Sequence, residues 1–400
     1  MNRSEFELLC DEQVRLAIEQ RLGDDPVRIA LDKRLPHAAL IASQVKYLER
    51  ARTKLPSYYA ARCILPARAF EQSSSEACAA HKAFSGELCI DLTCGLGVDS
   101  LYLSRQFKRV VALERDPMLA AVTRENFRRL GAPNIEVVET SAEQFLSAWH
   151  DKVDLIYADP DRRSEENRKL VRLQDCSPDL IPLLPRIREL ASRFVVKLSP
   201  LFDTDEALRI FGPDCLVEAV SLAGECKEML VTQGDNESAP RLRATALGIG
   251  SLTFPAHAEE PVAEKFPSER YDWLLIPDVA LRKIRCVRRH LTDLGVCFTT
   301  ENGYGFASKP PKDFMGRMLA IERMEPYDPK RLRRVLKAAD IGRIDILHRD
   351  FPLSSAQLAA QLHVKEGGRR QIAFTVIDGE SWQIVLKEPS AQETVKDAER

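Results

Sequence analysis

Long hydrophobic runs are missing from this chain of 400 residues: no apolar stretch approaches the ~20 residues of a membrane-spanning helix. The first residues, Met-Asn-Arg-Ser-Glu-Phe-Glu, lack the apolar core of a secretory signal and carry acids early. Paired cysteines are missing too. The ten cysteines are scattered singly with no Cys-x-x-Cys, which argues against a zinc site, an iron–sulfur cluster or a disulfide framework. A reducing cytoplasm fits that pattern. Net charge is nearly absent, at −2, with 44% hydrophobic and 30% charged residues, as in an ordinary soluble protein whose length suggests two or three domains.

The overall balance conceals an asymmetry. Residues 281–349 hold 16 Lys and Arg against 8 Asp and Glu. A solvated face explains such a run as readily as a surface that meets nucleic acid.

The chain is organised around residues 88–100. Leu88, Cys89, Ile90 and Leu92 form a short apolar run of the buried parallel-strand type. Gly95 and Gly97 follow, and then Val98, Leu101 and Tyr102 recur at helical spacing. Strand, glycine turn, helix is a nucleotide-binding βα unit, in which the turn lets backbone lie against a ligand. Dinucleotide-binding proteins share it, but two details separate them. Ser100 stands where the nicotinamide fingerprint wants its third glycine, and Asp91 would repel a pyrophosphate. Asp91 suits a ligand with an ammonium group, such as the methionine end of S-adenosyl-L-methionine.

Upstream, helical periodicity punctuated by prolines predicts a helical region over residues 1–70. Ser73 or Ser74 with Glu76 offers a helix cap just before the first strand, and Gln72 and Ser75 lie where a cofactor could touch them. Downstream, residues 109–114 read as a second strand ending in Glu114, a carboxylate placed to accept both hydroxyls of a ribose. A helix over 119–130 ends at Gly131, and a third strand near 135–138 leads to Ser141 and Ala142, where an adenine edge would lie. Residues 153–158 form a fourth strand stopping at Asp159-Pro160-Asp161-Arg162-Arg163. Asp159 and Asp161 can hold an amino group with its lone pair toward a methyl carbon. Arg162 and Arg163 can pair with these acids or hold a phosphate of a polynucleotide.

Residues 194–200 give a fifth strand ending in Lys197-Leu-Ser-Pro200. Runs at 216–222 and 228–232 follow, and 241–248 returns after the loop 233–240, so the run at 228–232 and that return read as a terminal antiparallel hairpin. A proline- and glutamate-containing stretch, 255–268, suggests a linker before two small α+β units at 255–328 and 329–392. The helix expected at 279–294 belongs to the former, and an Asp-Gly turn at 378–379 to the latter.

Glu71-Gln-Ser-Ser-Ser-Glu76, Asp91-Leu-Thr-Cys-Gly-Leu-Gly-Val-Asp99, Asp159-Pro-Asp-Arg-Arg163, Asp175-Cys-Ser-Pro178 and Lys197-Leu-Ser-Pro200 occur in that order. In this the chain resembles the bacterial class I S-adenosylmethionine-dependent methyltransferases with C-terminal ferredoxin-like and THUMP-like domains. The resemblance implies a Rossmann-like α/β sheet over 71–254 and cofactor roles for Asp91, Thr93, Gly95, Gly97 and Glu114. It also implies a target site at residues 159–163 and a basic C-terminal half that meets structured RNA. Two features depart from common patterns: Cys94 replaces a glycine, and Asp-Pro-Asp-Arg-Arg replaces the Asp-Pro-Pro-aromatic of amino-methylating enzymes. The aromatic that would stack on a flipped base is absent. The expectation is methyl transfer to a base nitrogen of ribosomal or transfer RNA. An RNA-binding protein with a silent cofactor-binding core, and a methyltransferase of proteins or small molecules, remain as alternatives.

Overall fold

The structure is a computed structural model that describes residues 1–162, 172–234, 239–257, 266, 270–299 and 303–388. Two compact units make it up: residues 1–217 with 228–240, and residues 218–227 with 241–400.

The first unit opens with seven helices, six of them short, and the sequence marks several of their starts. Asn2 and Glu5 form a capping box, and Asp11 and Asp25 cap the next starts, the latter ahead of Pro26. The buried face of Ala38–Lys54, with Ile41, Val45 and Leu48, packs into one core with Leu9, Val14 and Ile18 from earlier helices. Leu96, Val98, Leu101 and Phe127 from the glycine loop and its neighbours complete it. Asn126 ties the two parts: its Oδ1 accepts the Ile64 N–H at 2.8 Å and its Nδ2 donates to the Ile64 carbonyl at 2.9 Å.

The sheet that follows uses strands β1 (Gly86–Asp91), β2 (Phe107–Glu114), β3 (Ile135–Glu139), β4 (Val153–Ala158), β5 (Ala191–Leu198), β6 (Cys215–Leu222) and β7 (Glu225–Gln233). Their order is β6-β7-β5-β4-β1-β2-β3. β1 pairs in parallel with β2 and β4, β2 with β3, and β4 with β5, while β7 runs antiparallel to β5. Strand order reverses between β1 and β4, so a crevice opens beyond their C-terminal ends. The expected helix is present as Pro117–Leu130, capped by Asp116 and ended by Gly131 at φ 67°.

The terminal hairpin pairs differently from expectation. β6 and β7 are joined by Ala223 and Gly224, both at positive φ, which is the two-residue turn that matches strand twist. Arg241–Ala246 lies instead between β6 and Gly250–Pro255, antiparallel to the latter. The Ala-Gly turn carries little polar signal, and the longer loop at 233–240 masks it.

In the second unit a seven-stranded sheet runs from Cys297–Phe298 at one edge to Arg343–His348 at the other. Its long strand Gly316–Pro326 pairs with Trp273–Pro277 through its first half and with Glu380–Leu386 through its second. The Asp378-Gly379 turn has both residues at positive φ, as its sequence requires. The helix expected over 279–294 arrives as two short pieces, Val279–Lys283 and Val287–Asp293, with Arg285 in the left-handed region between them. Helix Pro329–Ala338 buries Leu332 and Leu336 against Leu358, Leu362 and Phe374, which leaves its Arg and Lys side chains outward. Among the described residues no helix is long and apolar enough to cross a membrane.

Candidate active site

A cleft of about 610 Å³ lies at the C-terminal edge of β1, β2 and β4. Its floor is the loop 92–97. Gly95 takes φ 56° and Gly97 φ 83°, and a Cβ on Gly97 would lie 2.4 Å from the ring of Phe127. The turn therefore needs glycine at 97 for conformation and for space.

Glu114, at the tip of β2, holds this loop by accepting the Gly95 N–H at 3.0 Å, and its other oxygen accepts the Asp116 N–H at 2.8 Å. Burial raises its pKa above the usual carboxylate range. Ser141 caps the helix Ala142–Ala148 through the Gln144 N–H, and Ser141 and Ala142 both line the cleft. Thr93 links the two central strands, because its Oγ1 accepts the Asp159 N–H at 2.6 Å.

Asp159, Pro160 and Asp161 form the opposite wall. Gln72 donates to Asp161 at 3.0 Å. Arg162 contributes backbone pairing with Cys176, and Arg163 lies outside the described residues.

Two expected contacts fall elsewhere. Asp91 is fully buried and does not line the cleft. Its carboxylate lies under the loop, accepting the Ser100 hydroxyl at 2.5 Å and the Thr93 N–H at 2.9 Å. Burial pushes its pKa up to about 7. Ser100, read in sequence as a missing glycine, is thus the partner of a buried acid, and Asp99 is the acid of this segment that faces the cleft. Ser75 is used as the cap of Glu76–His81 through the Cys78 N–H, a role expected of Ser73 or Ser74. Gln72, Ser73 and Ser74 line the cleft instead.

Sequence reasoning left a charged network unassigned. Lys197, on β5, sits 2.5 Å from Asp159 Oδ2 and donates to Ser74 Oγ at 3.0 Å. Ser74 donates to Asp99 at 2.8 Å. Behind Asp99, the fully buried Lys82 lies 2.9 Å from Asp99 and 2.7 Å from Glu228 on β7. Burial alone would raise the pKa of Asp99, but Lys82 and Lys197 hold it down to about 2. Burial pulls the Lys197 pKa down, and Asp159, Asp99 and Glu228 more than reverse that. The one signal in the sequence was Lys197 ending an apolar strand at the edge where Asp159 ends another.

The residues fit S-adenosylmethionine. Both Glu114 oxygens keep a lone pair after binding backbone N–H groups, which suits a vicinal diol, and Ser141 and Ala142 stand at the next strand tip for the adenine. Strand order, glycine loop and acidic strand tips together define a class I methyltransferase fold.

Comparisons with known proteins agree with it. Residues 74–175 match the family model "Conserved hypothetical protein 95", and residues 316–388 match "THUMP domain-like". An uncharacterised S-adenosylmethionine-dependent methyltransferase of Mycobacterium tuberculosis is 28% identical over 317 residues, 77% of this chain and 82% of that protein. Ribosomal RNA small subunit methyltransferase J of Coxiella burnetii is 28% identical over 125 residues, 27% of this chain and 48% of that one. A crystal structure from Porphyromonas gingivalis W83, provisionally described as a methyltransferase, superposes with a TM-score of 0.82. It is 24% identical and covers 98% of this chain and all of that one. The chain is a class I methyltransferase-fold protein with a C-terminal THUMP-like domain.

Proposed function

We propose that the protein is an S-adenosylmethionine-dependent methyltransferase that modifies RNA. One observation carries the reading: Glu114, the 92–97 loop and Asp159 come from three strand tips yet face one cleft. The cofactor, when bound, supplies a methyl group activated by a positively charged sulfur. Glu114 would hold its ribose, Gly95 and Gly97 the backbone beside it, and Ser141 and Ala142 the adenine. Asp159 would hold the acceptor, and Thr93 fixes where Asp159 stands relative to the loop. Methyl transfer is an in-line displacement, so positioning is most of what the protein must provide. RNA as substrate is supported by the outward basic face of Pro329–Ala338 in the THUMP-like region and by the names of RNA-methylating relatives. The Asp-Pro turn, taken by itself, would suit a base nitrogen as acceptor.

Calorimetry with S-adenosylmethionine, followed by transfer of labelled methyl into unmodified ribosomal and transfer RNA transcripts, tests this. Glu114→Ala is expected to abolish cofactor binding in a folded protein, and Asp159→Ala to keep binding and lose transfer. Unchanged affinity in the first variant would overturn the reading.

A further inference from the structure

The side chains around Asp159 bear on which atom receives the methyl group. An Asp-Pro turn that methylates an amino group offers acceptors to its N–H bonds and leaves the nitrogen lone pair to attack. Here the acceptor would meet a donor as well, because the Lys197 ammonium lies 2.5 Å from Asp159 and both line the cleft. An amino nitrogen gains nothing from that ammonium. As it attacks, positive charge moves from sulfur to nitrogen, and a neighbouring cation opposes it. A hydroxyl is the reverse case. It donates to a carboxylate and accepts from an ammonium in the same geometry, and as it loses its proton the ammonium stabilises the growing negative charge.

The lining of the cleft points the same way. Among the described residues it holds no aromatic ring, and the sequence from Asp159 to Asp175 contains none. A flipped base would find no aromatic stacking partner among them. A ribose needs none. Nor is the charge cluster what folding alone would select, since buried ion groups seldom stabilise more than apolar residues of the same volume. Lys82 has a side-chain exposure of 0% and Glu228 of 4%, yet these two ionisable groups meet at 2.7 Å behind Asp99. Such an arrangement marks a functional site more than a structural one.

We propose that the acceptor is a ribose 2′-hydroxyl of RNA, received from the cleft against the Asp159–Lys197 pair, with Ser74, Asp99, Lys82 and Glu228 as positioning residues for that pair. The hydroxyl oxygen bonds to the methyl carbon as the carbon–sulfur bond breaks, and that electron pair stays on sulfur as a neutral thioether. The O–H proton passes to the Asp159 carboxylate and from there to solvent at the cleft mouth, while Lys197 keeps its own protons. The proposal rests on the reading of the protein as an RNA methyltransferase.

Alkaline hydrolysis of labelled product RNA separates the two. The full-length protein, labelled S-adenosylmethionine and unmodified ribosomal and transfer RNA transcripts are the materials. Ribose methylation blocks cleavage at the adjacent phosphodiester, so label is expected in alkali-stable dinucleotides. Label in mononucleotides would overturn this proposal and leave the RNA methyltransferase reading standing. No label in RNA would overturn both. Lys197→Met should lower kcat at least 100-fold while calorimetric affinity for S-adenosylmethionine stays within about threefold. Its melting temperature separates this from misfolding, and Lys197→Arg should recover part of the rate. Glu228→Gln should lower kcat about tenfold and shift the pH–rate profile with KM for the cofactor unchanged. A profile that keeps its shape in Glu228→Gln would remove Glu228 from the positioning set. In the protein alone, Asp159→Asn should move the nitrogen-15 resonance of the Lys197 ammonium. An unmoved resonance would show that the pair does not exist and overturn the proposal.

Discussion

Thr93→Val tests how the catalytic wall is held. The substitution keeps the volume and β-branching of threonine and removes one acceptor, the Oγ1 that takes the Asp159 N–H at 2.6 Å. Valine offers that N–H nothing, so the chain must either leave a half-buried donor unpaired or move it toward solvent. Leaving it unpaired costs about 1–3 kcal/mol, and a shift of Asp159 by a fraction of an ångström relieves most of that. Transfer is sensitive to such a shift, since a misplacement of ~1 Å can lower a rate about 100-fold. Thr93→Val also removes the hydroxyl's long 3.4 Å donation to Asp91 Oδ1, but the Thr93 N–H still donates to that oxygen at 2.9 Å and the Gly95 N–H to Glu114, so the loop should keep its shape. The expected result is a kcat reduced about 10- to 100-fold with calorimetric affinity for S-adenosylmethionine within threefold of wild type. Thr93→Ser restores the acceptor and should recover most of the loss. A Thr93→Val protein with unchanged kcat, or one that loses cofactor affinity and rate together, would refute the role of Thr93 as the link between β1 and β4.

Three further outcomes follow from the geometry. Gly97→Ala places a methyl group 2.4 Å from Phe127 at φ 83°. Left-handed strain and overpacking together should cost about 3 kcal/mol or more, read as a fall of roughly 6–12 °C in melting temperature; a fall under ~2 °C would show the loop to be plastic. Asn126→Ala strips both hydrogen bonds from the buried backbone of Ile64 and should cost about 2–5 kcal/mol in a denaturant titration. Asp91 carries a pH signature: unfolded it ionises near its ordinary value of 3.8, but folded it keeps its proton to about 7. The unfolded state therefore binds fewer protons in that window, so stability falls as pH rises through it and levels off above, by on the order of 4 kcal/mol. Relative to Asp91→Asn, the wild-type melting temperature should fall between pH 4 and 7; parallel curves would remove Asp91 as the cause.

What the sequence made legible is what the chain specifies locally. Apolar runs that stop at Asp91, Glu114 and Asp159 mark parallel strands, because both faces of such a sheet are covered. The C-terminal ends of those strands then meet at one edge by topology. The β6–β7 pairing was not legible, since a strand inserted between two earlier ones depends on which edge is open, and the Ala223-Gly224 turn announces nothing about the neighbour beyond.

The distinction between Asp91 and Asp99 shows where local reading ends in the site itself. Both acids flank the same glycine loop, and sequence pattern favours the one at the strand end. Burial decides otherwise: Asp91 has Ser100 and Thr93 as partners beneath the loop, whereas Asp99 lies on the cleft side with Ser74 and Lys82. Each of those partners is polar and ordinary in its own segment, and only the fold gives it a neighbour. Lys82 precedes β1, Lys197 ends β5 and Glu228 begins the body of β7, so the three stand up to 146 residues apart in a single buried cluster. A buried lysine at 82 looks in sequence like an exposed one, because what distinguishes them is the pair of carboxylates that arrives from elsewhere. The chemistry that separates a hydroxyl acceptor from an amino acceptor therefore resides in contacts made by the inserted strand and by β5, the same part of the sheet whose pairing the local pattern leaves open.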